Sequence, residues 1–166
     1  IDAAADMVKE LGLTVRSFYM GGGTPTTLTA EQMDGLLQHL RSRFDFSESL
    51  EFTVEAGRPD TITREKLVAL KKNGVDRISV NPQTMSDAVL AAIGRQHTAA
   101  DIYRAMELVR EAEAFEVNMD LIAGLPGDSP DQFEDTVKQL IAMEPENITV
   151  HTLALKKGSR FLTEGT

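Results

Sequence analysis

The sequence contains one glycine-rich segment suited to ligand binding, Gly21-Gly22-Gly23-Thr24-Pro25-Thr26, directly after the apolar stretch Val15–Met20. Three consecutive glycines lack Cβ atoms, so a ligand can approach the backbone and accept hydrogen bonds from its N–H groups. A flexible turn alone would need only one glycine. No Gly-Lys-Ser/Thr follows, which excludes a Walker loop, and the glycines lack the spacing of a dinucleotide-binding fold. The pattern therefore favours a small-molecule site built from backbone groups.

Two carboxylates stand within or at the end of apolar stretches. Glu55 ends the stretch Leu50–Glu55, where it can accept two hydrogen bonds from a vicinal diol or bind an amino group. An ion pair with Arg58 is the structural alternative. Asp120 interrupts the apolar stretch Glu116–Ile122, and burying a carboxylate is costly unless it has specific partners. As a pair, the two carboxylates would suit acid/base chemistry in a hydrolase or lyase.

Further polar side chains follow other apolar stretches. Asn81 and Gln83 come after Arg77–Val80, and their amides offer donors and acceptors to a polar small molecule. The segment Gly94-Arg95-Gln96-His97 contains a guanidinium that can bind a carboxylate and an imidazole that can titrate. That imidazole and His151 could join the two carboxylates in a metal site, although no histidine pair has the spacing typical of such sites.

These residues are positioned by strand-length apolar stretches that alternate with amphipathic stretches of helical spacing. The alternation predicts an α/β fold with a mainly parallel sheet covered by helices. An open doubly wound sheet and a (β/α) barrel both fit, and both place their sites at the carboxyl ends of the strands. The predicted strands are Val15–Met20, Leu50–Glu55, Arg77–Val80, Glu116–Ile122 and Asn147–Leu153.

Capping residues mark where the helices begin. Thr29-Ala30-Glu31-Gln32 and Ser129-Pro130-Asp131-Gln132 both have capping-box spacing. Thr63 and Thr98 are predicted to cap two more helices, and Ile1–Leu11 has the pattern of another. The predicted buried face of the helix after Ser129 consists of Phe133, Val137, Leu140 and Ile141.

Composition limits the classes of function. The 166 residues carry a formal net charge of −9, with 42% hydrophobic residues, which is typical of a single folded domain over residues 1–166. The acidic balance argues against a large nucleic-acid or anionic-membrane surface. No stretch has transmembrane length and no signal-peptide pattern is present, so we expect a cytoplasmic location. The chain has no cysteine, which excludes disulfides and thiolate ligands within these residues.

Five motifs occur in the order Gly21–Thr26, Phe52–Ala56, Ile78–Val80 with Gln83, Gly94–Thr98, and Asn118–Gly127. Together they resemble the radical S-adenosylmethionine (SAM) proteins of the oxygen-independent coproporphyrinogen III oxidase (coproporphyrinogen dehydrogenase) family. The segments 56–59 and 81–85 are most similar to the branch found in anaerobic and spore-forming bacteria. The resemblance covers essentially the whole chain.

The resemblance implies a partial (β/α)6 barrel with strands two to six present, and with the first strand and the cluster loop missing. It implies SAM and a [4Fe–4S] cluster as cofactors, a porphyrinogen as substrate, and flavodoxin or ferredoxin as electron donor. The implied chemistry is reductive cleavage of SAM to a 5′-deoxyadenosyl radical. This radical abstracts hydrogen from propionate side chains, which leads to their oxidative decarboxylation to vinyl groups in haem biosynthesis.

The same resemblance implies a set of cofactor-binding residues. Gly22, Gly23 and Thr24 would contact the amino group or carboxylate of the SAM methionyl group, and Glu55 would anchor this first SAM. Gln83, Arg95 and Asp120 match positions that contact a second SAM or adjacent substrate in the family. Ile122 would lie near the adenine, and Ala154 matches a backbone contact.

One departure from the family is severe. The family holds its cluster with a Cys-x3-Cys-x2-Cys motif after the first barrel strand, and this chain has no cysteine. We expect a fragment of a longer protein, inactive alone, as the abrupt start favours, or else a degenerate homologue without radical chemistry. A smaller departure, at Glu113-Ala114-Phe115, predicts an altered helix exit where relatives usually have a glycine.

Two other functions remain open at this point. The first is that of a haem-binding, chaperone-like relative that shares the barrel and the SAM motifs but transfers haem. The second is a barrel metallohydrolase that uses Glu55, Asp120 and His97.

Overall fold

A computed structural model describes residues 1–154 of the chain. Its five strands are all parallel, and they follow one another across the sheet in chain order. A doubly wound sheet reverses its strand order at a switch point, whereas a barrel does not. The strand order therefore decides between the two architectures, and the predicted α/β fold with part of a (β/α) barrel is confirmed.

All five predicted strands are present, although two of their bounds differ by more than one residue. The first begins at Ser17 rather than Val15, and the third continues through Gln83 instead of ending at Val80. The strands are β1 Ser17–Met20, β2 Glu51–Ala56, β3 Arg77–Gln83, β4 Glu116–Ala123 and β5 Asn147–Thr152. The helices are α1 Asp2–Glu10, α2 Ala30–Arg43, α3 Arg64–Lys72, α4 Asp87–Ala92, α5 Ala99–Glu111 and α6 Pro130–Ala142.

Side-chain caps fix the starts of most helices. Thr29 forms a full capping box with Gln32 at α2, and Thr98 forms one with Asp101 at α5. At α6 the capping-box prediction is only half right. Ser129 accepts a hydrogen bond from the Gln132 backbone N–H, but within residues 1–154 full capping boxes are described only at α2 and α5. In the same part of the chain, no helix is long and apolar enough to cross a membrane.

Alternate residues of the strands pack against the helices and form the core. In β2, Phe52 and Val54 are completely buried, or nearly so, while the intervening residues face the other side of the sheet. Residues 33 and 37 of α2 and 67 and 70 of α3 join the same core. The predicted face of α6 is wrong at Ile141, which is 59% exposed, because Thr136 occupies the buried face and accepts a hydrogen bond from the Met85 N–H (3.2 Å).

The third strand contains an irregularity that the sequence did not predict. Its pairing with β4 shifts between Val80 and Gln83, around Pro82, which has no N–H to donate to the ladder. Gln83 has a φ of 70°, a left-handed conformation that is uncommon for residues with a side chain. His97 is buried, with its Nε2 3.4 Å from the Pro82 carbonyl oxygen. A contact between distant residues thus accompanies the shift at the end of β3.

Candidate functional site

The face of the sheet opposite the core carries a row of polar side chains. Glu55 is in register with Ser79, Ser79 with Asn118, and Asn118 with Asn147. Residues in register across parallel strands project from the same face. Polar groups that lie far apart in the chain are therefore neighbours on one surface.

The Glu55 carboxylate is oriented by three donors. Its Oε2 accepts hydrogen bonds from the Gly22 N–H (3.2 Å) and the Tyr19 hydroxyl (3.4 Å), and its Oε1 accepts one from Asn81 Nδ2 (2.9 Å). The alternative ion pair with Arg58 is not formed, because Arg58 pairs with Asp60 (2.9 Å). Glu55 thus sits against the glycine segment, as a ligand-binding carboxylate requires.

Two glycines leave the space that this carboxylate occupies. A Cβ at Gly21 would lie 2.3 Å from Cε1 of Tyr19 and 2.8 Å from Oε2 of Glu55. A Cβ at Gly57 would lie 3.1 Å from Oε1 of Glu55. At Gly22 and Gly23, by contrast, nothing lies within 4 Å of such an atom, so a ligand can reach that backbone.

The rest of the glycine loop is tied to the next loop of the sheet. The carbonyl oxygen of Thr24, a residue with φ 57°, accepts hydrogen bonds from the N–H (3.0 Å) and hydroxyl (2.8 Å) of Thr27. The ammonium group of Lys66 donates to the carbonyl oxygens of Thr26 (2.6 Å) and Thr61 (2.8 Å). These contacts hold the loop that presents Gly22 and Gly23.

Asp120 has the specific partner that its partial burial demands. Its side chain is 19% exposed, and its Oδ1 accepts a hydrogen bond from Asn118 Nδ2 (2.7 Å). His151 Nε2, on β5, lies 3.9 Å from the same oxygen. Ile122 is partly exposed two residues further along β4, and it is in register with His151. Asp120 and Ile122 therefore share one face of the sheet.

The two carboxylates act on a common neighbour. The pKa of Tyr19 is raised above its ordinary value, first by burial and then by the negative charges of Glu55 and Asp120. Tyr19 is on β1 and Asp120 on β4, so the curved sheet brings them within electrostatic range. The surface around Glu55 is thus negative and suits a cationic or hydroxyl-bearing ligand.

The other predicted site residues lie near the carboxyl ends of the strands, without described hydrogen bonds to Glu55 or Asp120. Gln83 is buried at the end of β3, and Arg95 is half-buried in the loop between α4 and α5. Ala154 is exposed just after β5. His97 is occupied by its contact with Pro82, and burial lowers its pKa.

Across residues 1–154 there is no group of three or more His, Asp or Glu side chains that could hold a metal ion. The metallohydrolase alternative therefore lacks a ligand set in this part of the chain.

Sequence reasoning missed three residues of the polar face. Tyr19, Ser79 and Asn118 each stand between two apolar residues of their strand. That two-residue period was the available signal. The hydrogen bonds from Tyr19 to Glu55 and from Asn118 to Asp120, and those that Ser79 forms with Asn81 and Asn118, could not be predicted from it.

The fold and site define an α/β protein with part of a (β/α) barrel and a polar, glycine-lined site at the carboxyl ends of its strands. Residues 1–140 match the family described as the radical SAM superfamily. The chain belongs to the radical SAM superfamily.

Individual relatives narrow the comparison. The chain is 46% identical over 155 residues to the oxygen-independent coproporphyrinogen-III oxidase-like protein HemZ of Bacillus subtilis. This match covers 93% of this chain and 31% of HemZ. It is 34% identical over 148 residues to the heme chaperone HemW of the same organism, covering 89% of this chain and 39% of HemW. The structure of coproporphyrinogen III oxidase (HemN) from Escherichia coli matches with a TM-score of 0.77 at 27% identity, over 92% of this chain and 38% of HemN. The chain thus spans between about three and four tenths of the length of these relatives.

The predicted cofactor class follows from the family. Two further structures, each 14% identical and therefore informative about the fold alone, match with TM-scores of 0.67 and 0.68 over 90% and 96% of this chain and 29% and 44% of their own. The first, TsrM from Kitasatospora setae, holds cobalamin and a [4Fe–4S] cluster, and the second, anSMEcpe, holds S-adenosylmethionine. The open backbone at Gly22 and Gly23 and the neighbouring Glu55 carboxylate supply hydrogen-bond donors and acceptors of the kind that the polar groups of SAM would need, whereas no residue of this cysteine-free chain can supply a thiolate to a cluster.

Proposed function

We propose that the carboxyl edge of this sheet binds SAM. The backbone of Gly22, Gly23 and Thr24 receives the methionyl carboxylate and amino group, and Glu55 accepts hydrogen bonds from the ribose hydroxyls. The observation that carries this proposal is the Glu55 carboxylate, which is held by the Gly22 N–H and Asn81 with a glycine on either side. An oriented carboxylate is the group that best accepts both hydroxyls of a diol.

A second ligand position lies around Asp120. Its exposed fraction leaves the carboxylate reachable from the open face, and Ile122 offers an apolar surface for an adenine ring. Gln83, Arg95 and Ala154 complete this position, with the Arg95 guanidinium suited to a ligand carboxylate. We assign the position to a second SAM or to the adjacent substrate.

The reaction that we propose for the protein carrying this barrel is oxidative decarboxylation of porphyrinogen propionates. Bound SAM would supply, on reduction by one electron from a flavodoxin or ferredoxin, the radical that abstracts hydrogen from the propionate. Each turnover would convert one propionate and one SAM into a vinyl group, CO2, methionine and 5′-deoxyadenosine, with the electron returned when CO2 leaves. This activity requires cluster thiolates that the 166 residues do not contain. A cytoplasmic location is part of the proposal, since a chain without cysteine needs no oxidising compartment.

Binding of SAM can be measured on the chain itself. By titration calorimetry, Glu55→Gln should weaken SAM binding about ten- to a hundredfold, because it replaces a charged acceptor with a neutral one. Glu51→Gln is the matched control, since Glu51 lies on the same strand and pairs with Arg77 (2.7 Å) at the other end of the sheet. Equal affinity of the native chain and Glu55→Gln would remove Glu55 from the site.

A haem-chaperone function is the second candidate, and the 34% identity to HemW favours it. The two functions separate when the cluster-bearing protein is supplied anaerobically with SAM, a reductant and coproporphyrinogen III. Formation of 5′-deoxyadenosine together with a vinyl-bearing porphyrinogen supports the oxidase. Tight haem binding without either product supports the chaperone and contradicts the oxidase proposal.

A further inference from the structure

A continuous chain of hydrogen bonds joins Glu55 to Asp120 across three strands. From the Glu55 side, Asn81 Nδ2 donates to Glu55 Oε1 (2.9 Å), and Ser79 Oγ donates to Asn81 Oδ1 (3.0 Å). Asn118 Nδ2 then donates both to Ser79 Oγ (2.9 Å) and to Asp120 Oδ1 (2.7 Å). The three intermediate side chains are all buried. We call this series the Asn118 chain.

The two carboxylates determine the direction of every hydrogen bond in it. The Asn118 amide has two N–H hydrogens, and both are used, one toward Asp120 and one toward Ser79. Ser79 accepts one of these hydrogens, so its own hydroxyl hydrogen goes to the side-chain Oδ1 of Asn81. The Nδ2 of Asn81 is then left to donate to Glu55. A flipped Asn118 amide would direct its oxygen at the Asp120 carboxylate and break the series.

The fifth strand holds the Asn118 amide from the opposite side. The Asn118 Oδ1 accepts hydrogen bonds from the Thr149 hydroxyl (3.0 Å) and from Asn147 Nδ2. Donors therefore surround the Oδ1 of this amide and acceptors surround its Nδ2, which leaves the amide one orientation. Because the three middle side chains of this series are buried, its hydrogen bonds polarise one another along its length.

We propose that Asn118 is a positioning residue that orients both carboxylates, and that the Asn118 chain couples the ligand position at Glu55 to the one at Asp120. The identity of the ligand rests on the proposed function, whereas the positioning role does not. Neither Asn118 nor Ser79 needs to touch a ligand for this coupling. Its physical basis is that a change of charge at one end alters the strength of each donor toward the other.

The coupling can be tested without any ligand by ¹⁵N NMR of the full chain. Replacing Asp120 with Asn should shift the side-chain amide resonances of Asn81 and the Gly22 N–H. In a Ser79→Ala background the same replacement should shift both clearly less, because only the through-space effect of the lost charge remains, and Ser79→Thr should restore the full response. The Asn73 amide, which donates to Asp34 (2.7 Å) elsewhere, is the internal control. An unmoved Asn81 in the native background, or an equal shift in Ser79→Ala, would overturn the proposal.

A second readout links the chain to binding. Ser79→Ala should weaken SAM affinity about two- to tenfold, the value of one hydrogen bond. Thr53→Val is the matched control, because the Thr53 hydroxyl is also buried, lies on the neighbouring strand β2 and donates to Glu51 (2.7 Å) instead. Unchanged affinity in Ser79→Ala would contradict a coupling that reaches the ligand.

The outcomes remain distinguishable from failure of the proposed function. If the native chain does not bind SAM, the proposed function fails, and the resonance shifts alone decide the positioning role. If Ser79→Ala does not fold by circular dichroism, Asn81→Ala interrupts the chain one step nearer Glu55. The Gly22 N–H is then the reporter, and its response to Asp120→Asn should become clearly smaller than in the native background.

Discussion

At the scale of single residues, His97 shows how a side chain with a functional pattern can serve the structure. The segment Gly94-Arg95-Gln96-His97 predicted a titrating or donating imidazole, yet the ring is 4% exposed and contacts the carbonyl oxygen of Pro82. Pro82 precedes Gln83 at the shifted pairing of β3. The His97 imidazole therefore makes a structural contact next to a candidate site residue.

Burial of His97 predicts a pH dependence of stability. Burial lowers the pKa of the imidazole and outweighs the hydrogen bond to the Pro82 carbonyl, which raises it; the charge of Arg95 lowers the pKa further, while Asp60 and Asp101 raise it. The unfolded chain therefore binds an extra proton below pH 6.5, its ordinary pKa, so the free energy of unfolding falls as the pH drops below that value. Urea titrations from pH 7.5 to 5 should show this decline, and His97→Gln should flatten it.

The control for this prediction is His39→Gln. His39 lies on the surface, 3.0 Å from Asp2, and its replacement should leave the decline in place. Carboxylates with lowered pKa values, such as Glu51 beside Thr53 and Arg77, lose their stabilising effect only at more acidic pH. An unchanged decline in His97→Gln would show that another group causes it.

At the scale of elements, two glycines of the helical layer should respond in opposite ways to alanine. Gly35 lies inside α2 with nothing within 4 Å of an added Cβ, so Gly35→Ala should stabilise the chain by about 0.5–1 kcal/mol. Gly74 follows α3 with a φ of +73°, and an added Cβ would lie 2.9 Å from Nη1 of Arg41. Gly74→Ala should therefore destabilise the chain by about 1–2 kcal/mol.

Thermal unfolding monitored by circular dichroism measures both changes. In a chain of this size, 1 kcal/mol corresponds to about 2–4 °C in Tm. A lower Tm for Gly35→Ala, or an unchanged Tm for Gly74→Ala, would contradict the backbone conformations and surroundings described for these two glycines.

The elements also show what the sequence can and cannot predict. Strand positions followed from apolar runs, and the cap at Thr29 followed from local spacing, because both depend on neighbouring residues. The shifted pairing in β3 is accompanied by a contact between Pro82 and His97, which are fifteen residues apart. Likewise, the bond from Asn81 to Glu55 spans 26 residues, so only the folded sheet brings those groups together.

The altered helix exit expected at Glu113-Ala114-Phe115 is an intermediate case. Glu113 adopts a φ of 48°, a conformation for which glycine is the usual residue. The family resemblance located the departure, and the structure supplies its backbone conformation. The glycine segment and Glu55 could be proposed from the sequence alone because a short motif and the end of one strand provide most of these groups.

At the scale of the whole molecule, one sheet and one core connect β1 through β5. We therefore propose that the chain unfolds as a single domain. Calorimetry should give one transition in which the calorimetric and van't Hoff enthalpies agree. Two resolved transitions, or a calorimetric enthalpy well above the van't Hoff value, would show that residues 1–166 contain more than one cooperative unit.

The most direct test of SAM binding is a ¹⁵N NMR titration of the full chain with SAM. Resonances of Gly22, Gly23 and Ile122, at the carboxyl edge of the sheet, should shift in proportion to occupancy. Resonances of Asp76 and Glu116, at the opposite edge, should stay unchanged. Shifts confined to the opposite edge, or no shifts at saturating SAM, would contradict a binding site built on Glu55 and the glycine segment.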